Sequence, residues 1–274
     1  MEYEIKPESK FSINAKEIWS YKELFYYFTW RDIKVKYKQT ALGMAWAILQ
    51  PTIMMLVFTF LFGAFAQSNS DSALPYPIYV YSGLMLWGIF SNGIQAAGNS
   101  MVTNANIIKK IYFPRLIIPL SSILVAVFDF IMTLIPFVLL LFYYKIEINA
   151  WRLFTLLPLS LLIILLTTIG TGCFLSALNV KYRDFRFVIP FLVQFSLYAS
   201  PIIYKIDSIK NQTIKFILSA NPITVAIDIY RSAFDPTASI DYTLIGFGLS
   251  ISLALLSVGI YYFRKTESYF ADLA

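Results

Sequence analysis

Six apolar runs decide what this chain can fold into. They lie at 43–66, 77–97, 116–142, 153–178, 187–204 and 244–263, and Asp129 is the only charged residue inside them. A helix needs about 20 apolar residues to cross the hydrocarbon of a bilayer. The pattern therefore predicts an all-α membrane protein with six transmembrane helices. Composition agrees: 58% of the 274 residues are hydrophobic and 14% are charged, against about a quarter charged in soluble domains. The third and fourth runs are long enough to tilt, kink or extend past the hydrocarbon. Pro119 and Pro136 weaken the hydrogen-bond ladder of the third. The fifth is the shortest and is broken by Pro190 and Pro201.

The stretch 30–51, WRDIKVKYKQTALGMAWAILQP, joins a basic, aromatic segment to the first run. Lys and Arg favour the cytoplasmic headgroup region, so this junction orients the bundle. With the amino terminus inside, 16 of the 22 Lys and Arg residues fall in inner segments and 6 in outer ones. Both termini are expected in the cytoplasm. Residues 19–39 read as an interfacial helix. Leu24, Phe25, Phe28 and Trp30 supply its apolar surface, and Lys22, Arg31, Lys34 and Lys38 its cations, so it should lie in the headgroup plane. The polar leader carries no signal-peptide pattern. The net charge of +6 points to anionic lipid headgroups rather than nucleic acid.

The chain reads as one permease domain, 1–274. It comprises a cytoplasmic and interfacial segment (1–42), spans one to five (43–204), an outer segment (205–243), span six (244–263) and a tail (264–274). Within the outer segment, 209–219 and 222–234 are apolar but too short to span. Asn221-Pro222 is a good helix start, with Asn as cap and Pro at the first helical position. This predicts a short helix pair that dips into the outer leaflet or caps the bundle. Two surface helices lying flat are the alternative.

Chemistry is sparse. There is no histidine, one cysteine (Cys173), and no G-x-x-x-x-G-K-[ST] loop, so no metal site, disulfide or ATP site is expected in the chain. Asp129 is expected to be a hydrogen-bonded structural residue, served by Ser121, Ser122 or a neighbouring helix. Trp46, Gln50, Met54, Phe58 and Phe62 recur every fourth residue and form one stripe. That stripe either lines a path for an amphiphile or is packing and interface belt. Thr168, Gly172 and Ser176 form a small-xxx-small row suited to close helix contact.

Five pieces in order give the chain a family likeness: 30–51; KKIYFPRLIIPL (109–120); NVKYRDFRFVIPF (179–191); LYASPIIY (197–204) with NPIT (221–224); and FRKTESYFADL (263–273). Together they resemble the permeases of bacterial type-2 ABC exporters for O-antigen, capsular polysaccharide and teichoic acid. The resemblance implies a homodimer with two cytoplasmic ATP-binding subunits, which hold the ATP and Mg and do the hydrolysis. It implies residence in the bacterial cytoplasmic membrane and a glycan or polyol-phosphate cargo on a lipid carrier. It assigns contact with the ATPase to 19–39 and 99–115, here Arg31, Lys34 and Lys38 with Asn104, Ile107, Ile108, Lys109, Lys110 and Ile111. It makes the outer pair a gate, here Tyr204, Asn221, Pro222, Ile227 and Tyr230. In 99–115, Asn104-Ala105-Asn106 can cap a short helix that Pro114 ends. Its face of Ile107, Ile108 and Ile111 needs a protein partner, either an ATPase groove or the interfacial helix. A lipid or drug exporter of the wider type-2 group is the competing transporter reading. An integral membrane enzyme acting on lipid-linked sugars would need a carboxylate or histidine array that the chain lacks.

Overall fold

The computed structural model describes residues 15–38, 40, 42–67, 74–204, 206, 209 and 211–267. Expectations for 1–14, for the first outer connection 68–73, for parts of 205–210 and for the tail 268–274 lie outside the described residues. Among the described residues the chain forms helices and no strand. They are α1 (Ala15–Ser20), α2 (Lys22–Lys38), α3 (Ala45–Gln67), α4 (Tyr76–Thr103), α5 (Ala105–Ile108), α6 (Ile117–Tyr143), α7 (Ala150–Lys181), α8 (Phe185–Tyr198), α9 (Gln212–Ser219), α10 (Pro222–Ser232) and α11 (Tyr242–Glu267).

Four of these, α3, α6, α7 and α11, are long and apolar enough to cross a membrane. The second run becomes α4, 28 residues long, with Ser91, Gln95, Asn99 and Ser100 in its carboxy-terminal half. It tolerates them because protein surrounds it: α3, α6, α7, α8 and α10 all pack on α4, and most of its residues are buried. The fifth run departs from expectation. Its helix, α8, has only 14 residues, too few to span. The chain stays apolar through Pro201, Ile202 and Ile203 but turns there, so hydropathy alone overstates the helix.

Local chemistry sets several boundaries. Asn149, Asn211, Asn221 and Asp241 each cap the helix that follows, accepting from backbone N–H groups of its first turn. Pro222 stands at the start of α10 as the Asn-Pro pair predicts. Pro119 falls in the first turn of α6, where its missing N–H costs nothing, while Pro136 sits inside that helix. Of the outer pair, α10 is buried against α4, α7 and α11. By contrast, α9 buries none of its residues and exposes Ile214, Phe216 and Ile217.

The row Thr168, Gly172 and Ser176 faces α4: an added Cβ at Gly93 would stand 2.6 Å from the Thr168 methyl, and one at Gly172 would stand 3.0 Å from Ala97 Cβ. The tightest crossing is on the other side of α7, against α11. There Gly170 meets Gly259 backbone to backbone, and Thr167 and Ser252 share a buried hydroxyl hydrogen bond of 2.9 Å.

Part of the apolar face of the expected interfacial helix is covered by protein. Phe28 is buried in a cluster with Phe113, Leu116, Ile117 and Phe263, and Leu24 and Phe25 pack against the same cluster. Further along, Ile33 and Tyr37 pack with Val125. Thus α2 runs alongside the first half of α6. The sequence pattern shows an apolar stripe on α2 but cannot say whether lipid or protein covers it.

Candidate functional site: a bare aromatic surface and a basic helix face

Of the expected stripe on α3, Trp46, Gln50, Met54 and Phe62 are exposed, and Phe58 is half-buried against the core. The Phe58 and Phe62 rings meet at a tilt, 6.3 Å apart. Among the described side chains of this helix the barest ring lies outside the stripe: Phe60 is 87% exposed. Phe58→Ala should therefore lower the melting temperature of the purified protein, whereas Phe60→Ala should leave it unchanged. An equal drop in both would mean that the outer face of α3 is packed.

A second exposed stripe, which the sequence reading did not pick out, lies on α8. Phe187, Phe191, Phe195 and Tyr198 are all exposed, while Ile189 and Val193 are buried. The signal was present as phenylalanines at four-residue spacing, hidden because that segment was read only as a span. Pro190 lies within α8 without dividing the stripe.

The face expected to meet an ATP-binding subunit comprises α2 and the 104–115 loop. Asn104 is buried, but its side chain does not cap α5. It donates to Ser100 O at 2.8 Å and accepts from the Arg31 guanidinium at 2.8 Å. With that cap diverted, α5 is a single turn, Ala105–Ile108. Its expected apolar face is divided. Ile108 is buried and Ile107 half-buried in the cluster that holds Phe28 of α2, whereas Ile111 is exposed beside Tyr112, which is 80% exposed. Lys109 and Lys110 are exposed with them. On α2, Arg31 also pairs with Asp32 at 2.7 Å. Lys34 and Lys38 stay exposed, with the Lys34 ammonium 5.3 Å from the Trp30 ring centre. Tyr27, Trp30, Arg31, Lys34, Val35 and Lys38 line an open groove of about 330 Å³ on this free face.

Asp129 takes its partners from α2, not from Ser121 or Ser122. Both serines donate to Ile118 O of their own helix. One Asp129 oxygen accepts from the Lys36 ammonium and the other from the Tyr37 hydroxyl. Burial, reinforced by the hydrogen bond to Asp129 and the negative charge beside it, holds the Tyr37 phenol well above its usual pKa, so it remains a donor at any physiological pH.

In the outer segment, Ile227 and Tyr230 are fully buried, and the Tyr230 hydroxyl finds no hydrogen-bond partner among the described residues. Pro222 is buried and Tyr204 is half-buried. Asn221 reaches back to Ala199 O and Ser200 Oγ, both at 3.4 Å. Sequence reasoning missed Arg231. Its guanidinium is buried and donates to Pro201 O at 2.9 Å, Ile202 O at 3.0 Å and Tyr79 O at 2.9 Å, and lies 3.4 Å from the Tyr79 ring centre. Tyr76 and Tyr79 donate to Ile203 O and Tyr204 O. The turn after α8 is thus stapled by side chains of α4 and α10, which is how irregular backbone survives within a membrane protein.

Residues 23–234 match the ABC-2 type transporter family. This chain belongs to that family. Among similar proteins, the O-antigen export system permease protein RfbA of Klebsiella pneumoniae is 27% identical over 92% of this chain and 95% of its own. The protein of the same name from Myxococcus xanthus is 26% identical over 80% and 83%. The polysialic acid transport protein KpsM of Escherichia coli is 23% identical over 86% and 91%. As an ABC-2 chain it is an integral membrane transport subunit, and the family places an ATP-binding subunit beside it.

Proposed function

We propose that two copies of this ABC-2 chain form the pore of a bacterial exporter of lipid-linked polysaccharide. Two cytoplasmic subunits would bind ATP and Mg and drive it. The observation that carries this reading is the bare aromatic surface of α3 and α8 in a chain that otherwise encloses its central helix α4. Aromatic rings pack against the apolar faces of sugars and acyl chains alike. Its relatives named for O-antigen export and polysialic acid transport supply the substrate class. The faces of α3 and α8 from two copies then line the glycan's path.

In this reading there are six crossings. α3, α4, α6, α7 and α11 make five, and α8 with the stapled turn after it completes the sixth. Charge asymmetry puts both termini in the cytoplasm of a bacterial inner-membrane protein. The outer segment, with Tyr204, Asn221, Pro222 and the buried Ile227 and Tyr230 beneath it, closes the pore on the far side. Deleting the gene should remove glycan from the cell surface and leave lipid-linked glycan on the inner face. Normal surface glycan in the deletion strain would sink the reading.

The ATP-binding subunit meets the free face of α2 and the Lys109–Tyr112 corner. Ile111→Asp should leave a folded, membrane-inserted protein that loses co-purification with that subunit. Ile107→Asp, at a half-buried site, should instead destabilise the α2–α5 cluster. Wild-type pull-down by a well-folded Ile111→Asp variant would move the docking site to α2 alone.

A further inference from the structure

One helix, α6, touches both the cytoplasmic face and the outer segment. Toward its inner half, Asp129 receives Lys36 and Tyr37 of α2. One turn on, the Thr133 carbonyl accepts from the Tyr81 hydroxyl of α4 at 3.2 Å. One turn further, Phe137 stacks on Tyr81 at 6.2 Å and meets Tyr230 of α10 at 5.7 Å and Phe234, just past α10, at 5.0 Å. Residues 129, 133 and 137 share one helix face and span about 12 Å. Phe130 adds an edge-on contact to Tyr230 at 6.5 Å.

The chain itself does not hand motion from α2 to α3 as a rod. The connection bends at Gly43, whose φ is 53°. The anchors of α2 lie instead on α6 and the segment before it. Phe28 packs on Phe113 at 5.7 Å, Arg31 bonds Asn104, and Lys36 and Tyr37 hold Asp129. A carboxylate inside a span is costly, and such groups are retained where a partner and a task exist. Here the two oxygens have one donor each, a directional grip that packing alone does not give.

We propose that α6 is a rigid link between α2 and the outer helix α10. The Lys36–Asp129–Tyr37 cluster is its inner joint and Phe137 its outer joint. Lys36 and Asp129 are then positioning residues for export: they carry movement of α2 to the far side. This rests on the reading of α2 as the ATPase-facing helix.

The test uses the complete transporter with its ATP-binding subunit in proteoliposomes, comparing ATP turnover, co-purification and glycan export. Asp129→Asn and Lys36→Gln should fold, co-purify and hydrolyse ATP within about twofold of wild type, by ordinary mutational tolerance at a half-exposed partner, yet export at least about tenfold less, the mark of a lost coupling free energy. The exchange Lys36→Asp with Asp129→Lys should recover most of that export. Phe137→Leu should uncouple in the same way with ATP turnover retained. Wild-type export in both single variants would overturn the joint. So would an export loss that merely tracks falling melting temperature and is not recovered by the exchange. Lys34→Glu, on the free face of α2, examines the underlying reading separately: unchanged co-purification there would remove α2 as the ATPase contact and the proposal with it.

Discussion

Gly259→Leu is expected to give the largest loss of stability of any single glycine substitution in this chain. Any side chain at 259 points into the Gly170 carbonyl across the α7–α11 crossing, and one at 170 would stand 2.5 Å from the backbone of Leu255 and Leu256. Backbone cannot rotate away as a flexible side chain can. The two helices must separate, and the buried Thr167–Ser252 hydrogen bond is lost with the contact. Overpacking costs about 1–3 kcal/mol and occasionally more, and a backbone clash belongs at the upper end. At about 2–4 °C per kcal/mol, the melting temperature in detergent should fall by roughly 6–12 °C. Even Gly259→Ala should be measurably worse than wild type. In contrast, Gly246→Ala should be silent for space, because nothing lies within 4 Å of a Cβ there. Equal melting temperatures for Gly259→Leu and wild type would mean that α11 is not packed on α7 at this crossing.

Arg231→Met is the second large effect. The guanidinium is the donor for Pro201 O and Ile202 O, and Ile202 is fully buried. Each buried acceptor left without its donor costs about 1–3 kcal/mol, so about 3 kcal/mol or more is at stake with the lost stacking on Tyr79. Arg231→Lys retains the charge but not the planar fork that serves several carbonyls at once, and should be intermediate. A cysteine at Ile202 provides the direct readout. It should resist a thiol reagent in the native background and react in Arg231→Met. Protection in both would show that the turn is held by the Tyr76 and Tyr79 hydroxyls without Arg231.

How far the sequence reaches can be judged residue by residue. The long apolar helices were legible because hydropathy and length are local properties, and Asn221-Pro222 marked the start of α10 for the same reason. The end of α8 was legible only in part. Residues 199–204 are as apolar as the helix before them; Pro201 marks a break, but the donors from Tyr76, Tyr79 and Arg231 that hold the turn are remote in sequence. The burial of Phe28 was hidden because an amphipathic pattern looks the same against lipid or protein. Asp129 stood out as a lone carboxylate, but its partners lie 92 and 93 positions away, and the nearby serines were occupied by their own helix. Ile227 and Tyr230 carry the outer segment from within the core, which no local pattern distinguishes from lining a gate.

The most direct test of the transport account places a photo-crosslinking residue at Phe191 on α8 or at Phe60 on α3, with Val258 on the exposed face of α11 as the control. The full transporter is then stalled by a hydrolysis-deficient ATP-binding subunit. The account predicts glycan captured at positions 191 and 60 and none at 258. Capture at 258 with none at 191 and 60 would contradict it, because the glycan would then pass along α11 and not between the aromatic faces of α3 and α8.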